Sequence, residues 1–235
     1  QPLAYHHASR IHDIVNELAR RAGLKETPKL YYLPQKQVNA FAFGHSREAG
    51  IALSQGLLNH LTLDEVSGVL AHEMSHIKHK DLSVMTLATT ISNMTRMMAN
   101  VGFFLLLINL PRVLLGMFPI SWSAIFLLIF APALAGMVQL ALSRVREFRA
   151  DLGAAQLLGT PQPLVSALTK MDRLNRGMFG LFAPSMRMSA PSLFSTHPPT
   201  PERIRRLRSV ADQPAFEAPI RIVIPEVSHP QAVWM

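Results

Sequence analysis

The sequence contains no cysteine. No disulfide can brace this fold, and the absence fits a reducing compartment. Charge is also scarce: only 16% of residues are charged, against roughly 25% in an ordinary soluble domain. The shortfall is concentrated at residues 97–142. Acidic residues are the rarer sign, 15 against 23 Lys and Arg, for a net charge of +8. There is no internal repeat and no nucleic-acid motif. The chain opens at Gln1 without a signal-peptide pattern, so further residues are expected upstream. The basic residues flank apolar segments or sit in short helices, which points to an anionic bilayer surface and not to nucleic acid.

Apolar length is what the chain has instead. Ile120 to Leu142, "ISWSAIFLLIFAPALAGMVQLAL", is 23 residues without a charge. At ~1.5 Å per residue it spans a ~30 Å hydrocarbon core. Residues 97–118, "MMANVGFFLLLINLPRVLLGMF", are nearly as apolar, broken by Pro111 and Arg112. Together they predict a transmembrane hairpin with its turn near 111–121. Lys78, Lys80 and Arg96 precede it, and Arg144, Arg146 and Arg149 follow it, while the turn carries Arg112 alone. The positive-inside rule sets both hairpin ends on the cytoplasmic side.

The flanking sequence reads as mixed α and β. Residues 9–22 predict an amphipathic helix capped by Ser9, with Ile11, Ile14, Val15 and Leu18 on one face and Gly23 at its end. Strands are predicted at 29–34, 37–44 and 50–55. Thr62 with Glu65 forms a capping box, so a helix starts near Leu63. Residues 143–159 continue as helix beyond the hairpin. Thr160 and Pro161 open the next helix, with Leu164, Leu168, Met171 and Leu174 on one stripe. Residues 177–196 read as an irregular loop. A short basic helix follows from Thr200, with Ile204, Leu207 and Val210 inward, and the tail from Gln213 reads as extended with a possible strand at 220–224.

The chemistry concentrates in "LAHEMSHIKHKD" (70–81). On a helix, His72 and His76 lie one turn apart on one face and can hold one ion together. Glu73 sits beside the first of them, close enough to act on a metal-bound water; this is the H-E-x-x-H arrangement. Catalytic zinc takes three protein ligands and keeps one position open. His79 is the nearest further imidazole, but a straight helix carries it ~4.5 Å along the axis, and no glycine bends the chain after His76, so it reads as a surface histidine. Glu147 and Asp151, also spaced i to i+4, are the other source. One can bind the metal while the other accepts the ring proton of a histidine. The competing reading pairs them with Arg144, Arg146 or Arg149. The hairpin returns their helix beside the first, which favours the metal role.

At these residues the sequence resembles the HtpX-like membrane zinc metalloproteases, gluzincins related to the CAAX prenyl proteases. Four blocks carry the resemblance in order: "NAFAFG" (39–44), "LAHEMSHI" (70–77), "SRVREFRAD" (143–151) and "THPPTPERI" (196–204), over roughly residues 5–210. The resemblance implies one zinc ion per chain on His72, His76 and Glu147, with Glu73 as general base and Asp151 behind a ligating histidine. It implies that "NAFAFG" is an edge strand beside the cleft, where Asn39, Ala40 and Phe41 meet an extended peptide. It implies that His197 stabilises the developing oxyanion; the plainer reading of His197 is a helix-leading residue held by Pro198 and Pro199. Two further membrane segments usual in that family before the first helix are missing here, and the tail from about 213 matches no block.

The expected fold is therefore α+β and zincin-like, a small sheet and an active-site helix with an inserted membrane hairpin. Its segments are residues 1–96 and 143–212 of a protease domain, a hairpin at 97–142 and a tail at 213–235. The expected function is zinc-dependent endopeptidase activity at the cytoplasmic face of a bacterial inner membrane. The expected partners are membrane or misfolded proteins, in protein quality control, and the lipid bilayer. A zinc-binding scaffold or adaptor is the alternative, disfavoured because it has no need of Glu73. A metal transporter is disfavoured because the ligands fall outside the apolar spans.

Overall fold

A computed structural model describes residues 1–44, 48–182 and 199–211. In chain order the elements are α1 (Ser9–Ala22), β1 (Lys29–Leu33), β2 (Ala40–Phe43), β3 (Gly50–Ser54), α2 (Gln55–His60), α3 (Leu63–Lys78), α4 (Asp81–Leu114), α5 (Trp122–Leu158), α6 (Gln162–Phe182) and α7 (Thr200–Ala211). The chain forms two compact units, one of residues 1–82 with everything from Val145 onward, the other Ser83–Arg144.

In the first unit, α1 buries the predicted stripe: Ile11, Ile14, Val15 and Leu18 are all nearly inaccessible. Its start differs from expectation. Ala8 is the capping residue and makes no side-chain cap bond, so Ser9 is the first helical residue. Gly23 ends the helix at φ 71°, a left-handed conformation that glycine adopts without steric cost. The sheet is mixed, in the order β1-β3-β2, with β1 parallel and β2 antiparallel to β3. Strand β3 lies at the centre and is buried along its whole length, while β2 is an edge among the described residues. The core joins α1, the inner sheet face, α3, the end of α5 and α6 through Leu53, Leu70, Met74, Ala154 and Leu164. Leu207 of α7 closes it.

Helix α6 is longer than the sequence suggests. It runs to Phe182, so residues 177–182 are helical, not the start of an irregular loop, and neither Gly177 nor Gly180 ends the helix. The rest of that loop, His197 and the tail from residue 213 lie outside the described residues.

The second unit is the body of two long helices. Helices α4 and α5 comprise 34 and 37 residues, each longer than a ~30 Å hydrocarbon core requires at ~1.5 Å per residue. They are apolar enough to cross a membrane, and they hold their large side chains outward: Leu107 is 70% and Leu134 66% exposed. Polar groups tie the pair together. Ser92 Oγ donates to Gln139 Oε1 at 2.8 Å. Asn109, fully buried, accepts from Ile120 N at 2.7 Å and donates to Ile120 O at 3.2 Å, closing the turn. A Cβ on Gly102 would meet Leu128 Cβ at 2.9 Å, so the helices approach closely there.

Candidate metal centre

The site starts from a well-fixed helix. Thr62 Oγ1 accepts from Glu65 N at 3.3 Å while Glu65 Oε2 accepts from Thr62 N at 2.8 Å, the reciprocal capping box expected. Glu65 also takes Ser166 Oγ at 2.8 Å and Lys170 Nζ at 3.1 Å, which fastens the start of α3 to α6. Burial pushes the Glu65 carboxyl up, but the Thr62, Ser166 and Lys170 bonds bring it below its ordinary value. Further along, α5 lies tight against α3. A Cβ on Gly153 would clash with Ser75 Oγ, so the glycine lets the two helices meet closely there.

That approach brings Glu147 and Asp151 against the two histidines. His72 Nε2 and His76 Nε2 stand 3.1 Å apart with their rings nearly perpendicular. Glu147 Oε2 is 3.6 Å from His72 Nε2, and Glu147 Oε1 is 3.7 Å from His76 Nε2. Among the described residues these three form the one group of side chains that could hold a metal ion. The other ring nitrogens are committed elsewhere. His72 Nδ1 lies 2.9 Å from Asp151 Oδ1, and His76 Nδ1 lies 2.7 Å from Asp81 Oδ2. A carboxylate accepts and cannot donate, so each Nδ1 carries a proton, and in the neutral imidazole this leaves the lone pair on Nε2. Arg203 Nη2 also comes within 3.4 Å of His72 Nδ1, but that longer approach cannot be a bond while Nδ1 donates to Asp151.

Arg203 instead grips Asp151 with both arms, Nε to Oδ2 at 2.8 Å and Nη2 to Oδ1 at 2.6 Å. Its Nη1 is 3.4 Å from Glu147 Oε2. Burial pushes Asp151 up, yet the Arg203 and His72 bonds hold it below its ordinary value. Asp81 is buried and gathers two cations besides His76: Arg149 Nη2 donates to Oδ1 at 2.7 Å, and Arg146 Nε lies 3.0 Å from the same oxygen. The Arg146 contact is an ion pair without hydrogen-bond alignment, since Nε finds no such partner. Burial raises Asp81, but the His76 bond and the Arg146 charge bring it down to about 2. Burial lowers His76, but Asp81 and the Glu73 and Glu147 charges raise it above its ordinary value.

Glu73, buried next to His72, points to the sheet. Its Oε2 accepts from Ala42 N of β2 at 2.7 Å. The edge strand thus reaches the site through Ala42. Asn39 is half-buried just before β2, its main chain tied to Ser54 by N to Oγ at 2.9 Å and by the Ser54 amide to its carbonyl at 3.0 Å. Ala40 is half-buried and Phe41 is 42% exposed. His79 caps the end of α3, half-buried, with Nδ1 2.8 Å from Ser75 O. It is less exposed than expected and takes no part in the three-residue group.

Two of the three arginines in the competing reading face another carboxylate. Arg146 and Arg149 go to Asp81, and Asp151 pairs with Arg203. Asp81 and Ala42 are the neighbours of the site that sequence reasoning missed. The chain turn explains Asp81: Lys80 adopts φ 55°, a left-handed conformation costing roughly 1 kcal/mol for a non-glycine residue, and it swings Asp81 back onto His76. The absence of glycine after His76 hid that turn.

The chain is similar to known proteins over most of its length. The pattern of peptidase family M48 matches residues 6–211. "Protease HtpX homolog" of Sulfurovum sp. (strain NBC37-1) is 40% identical over 224 residues, 89% of this chain and 79% of that protein. "Protease HtpX" of Legionella pneumophila (strain Lens) is 38% identical over 225 residues, again 89% of this chain and 79% of that protein. The crystal structure of S. mikatae Ste24p aligns with a TM-score of 0.55 at 20% identity over 88% of this chain. This chain spans 50% of the length of that structure, and the likeness is one of fold.

Proposed function

We propose, from the premise that the chain belongs to peptidase family M48 and is a metalloprotease, that it is a zinc-dependent endopeptidase using His72, His76 and Glu147 as ligands. The convergence of those three donors carries the reading. Metal bonds of ~2.0–2.1 Å in a tetrahedron set ligand atoms about 3.3 Å apart, and the observed separations of 3.1, 3.6 and 3.7 Å match that edge. Two Nε2 lone pairs facing each other repel unless a cation lies between them, and the Glu147 carboxylate adds an oxygen donor. Two imidazoles and one carboxylate are a donor set that suits catalytic zinc.

Bound zinc supplies a Lewis acid that polarises the scissile carbonyl and lowers the pKa of water toward ~7. The protein side chains do the rest. Glu73 takes the proton of the attacking water at Oε and delivers it to the leaving amide nitrogen. The Ala42 amide holds Glu73 at the substrate side of the site. Asp151, held by Arg203, keeps the His72 tautomer. The outer edge of β2, from Asn39 to Phe41, aligns an extended peptide by strand addition. His197 supplies the oxyanion donor. The α4–α5 pair anchors the enzyme in a bacterial inner membrane, and the basic residues at its ends set the active site on the cytoplasmic face. Substrates are membrane or misfolded polypeptides within reach of that surface.

One pair of variants tests the assignment. Glu73→Gln should retain stoichiometric zinc and cleave casein at no measurable rate. Glu147→Gln should lose zinc, and activity with it. Retention of zinc by Glu147→Gln would overturn the ligand set.

A further inference from the structure

The described contacts leave one buried carboxylate without a function. Asp81 is 1% exposed, and no step of the proposed chemistry uses it. It is the first residue of α4 and lies beyond the left-handed turn at Lys80. Its two oxygens face different partners. Oδ2 takes His76 Nδ1 at 2.7 Å, while Oδ1 takes Arg149 Nη2 at 2.7 Å and lies 3.0 Å from Arg146 Nε. Both arginines flank Glu147 on α5. A carboxylate this buried needs compensation, and here it comes from the helices bearing two different metal donors.

We propose that Asp81 is a positioning residue that fixes His76 and the Glu147 helix against each other. The inference rests on the zinc-site reading above. By accepting the Nδ1 proton, Asp81 holds His76 in the tautomer that leaves Nε2 free for metal, and it prevents rotation of the ring. By binding Arg146 and Arg149, it ties α5 at the residues on either side of Glu147. Asp151 does the first of these things for His72, with Arg203 behind it. Asp81 does both, so its loss disturbs two donors together. The left-handed Lys80 turn is the local strain that this arrangement accommodates, since a regular helix continuing past His79 would carry Asp81 away from His76.

The test uses the full chain purified in detergent. Zinc affinity is measured by competition with a chromogenic chelator, and the visible bands of the cobalt-substituted protein report ligand geometry. Thermal unfolding of the metal-free protein is followed in parallel. Asp81→Asn keeps the shape and the Nδ1 acceptor but removes the charge that gathers the arginines. It should weaken zinc binding ~10–100-fold and alter the cobalt bands. A merely structural role lowers the unfolding midpoint and leaves affinity and bands unchanged, which overturns the proposal. If Asp81→Asn does not fold, Arg149→Gln decides by the same criteria, because Arg149 is half-exposed and its loss opens no buried cavity; it should shift affinity and bands in the same direction by less. Glu147→Gln separates the two readings. Zinc retained there refutes the ligand set itself, whereas zinc lost there but bound normally by Asp81→Asn refutes only the role of Asp81.

Discussion

At the scale of single residues, the two histidines owe their usefulness to the carboxylates behind them. An isolated imidazole exchanges between tautomers, and only one presents Nε2 to a metal. Asp151 selects that tautomer for His72, and Arg203 selects the position of Asp151 with a two-armed grip. Asp151→Asn should therefore weaken zinc binding by ~10–100-fold without abolishing it, read by chelator competition. Arg203→Lys offers a single ammonium where a planar fork was bound. It should weaken zinc binding in the same direction even though charge is conserved, and unchanged affinity would show that charge alone suffices. His79→Ala, by contrast, removes contacts to the Ser75 carbonyl and hydroxyl alone, neither of them a member of the three-residue group, and should leave stoichiometric zinc.

At the scale of elements, the site depends on how closely α3 and α5 approach and on how firmly α3 begins. Gly153→Ala puts a methyl group into clash with Ser75 Oγ. Overpacking of this kind costs ~1–3 kcal/mol, and separating the helices moves Glu147 and Asp151 away from the histidines. The variant should unfold earlier and bind zinc more weakly. The α3 cap has its own signature. Thr62→Ala should cost ~1 kcal/mol, measured by denaturant unfolding. The Glu65 carboxyl is held below its ordinary value. A group lowered on folding contributes stability that is fully present above its unfolded pKa and is lost as pH falls through the folded one. Stability should thus fall on acidification below the ordinary value of 4.5, and Glu65→Gln should flatten that part of the profile. An identical acid limb in Glu65→Gln would assign the loss to other carboxylates.

At the scale of the whole molecule, the question is orientation in a membrane. These 235 residues contain no cysteine, so one introduced thiol within them reports one position. Leu115, in the turn between α4 and α5, is 75% exposed, and Lys78 is exposed at the end of α3. Leu115→Cys should react with a membrane-impermeant thiol reagent added to intact cells, and Lys78→Cys should react only after the membrane is opened. The reverse pattern would place the protease unit on the outer side and remove the cytoplasmic reading.

Much of this protein is legible one helical turn at a time. The pairing of His72 with His76, the Thr62 and Glu65 cap, the α1 stripe and the uncharged run to Leu142 are patterns whose members are a few residues apart. Backbone periodicity alone sets those neighbours, so the sequence by itself determined them. It also offered Glu147 and Asp151 as a pair, but left open which faces the Nε2 atoms of the two histidines and which arginine they kept. Packing decided the rest. Arg203 lies 131 residues from His72, Ala42 lies 31 from Glu73, and Arg149 lies 68 from Asp81; no local period links positions so far apart. Even Asp81, five residues past His76, escaped sequence reasoning, because its reach depends on a left-handed lysine that only the surrounding buried charges make worth its strain.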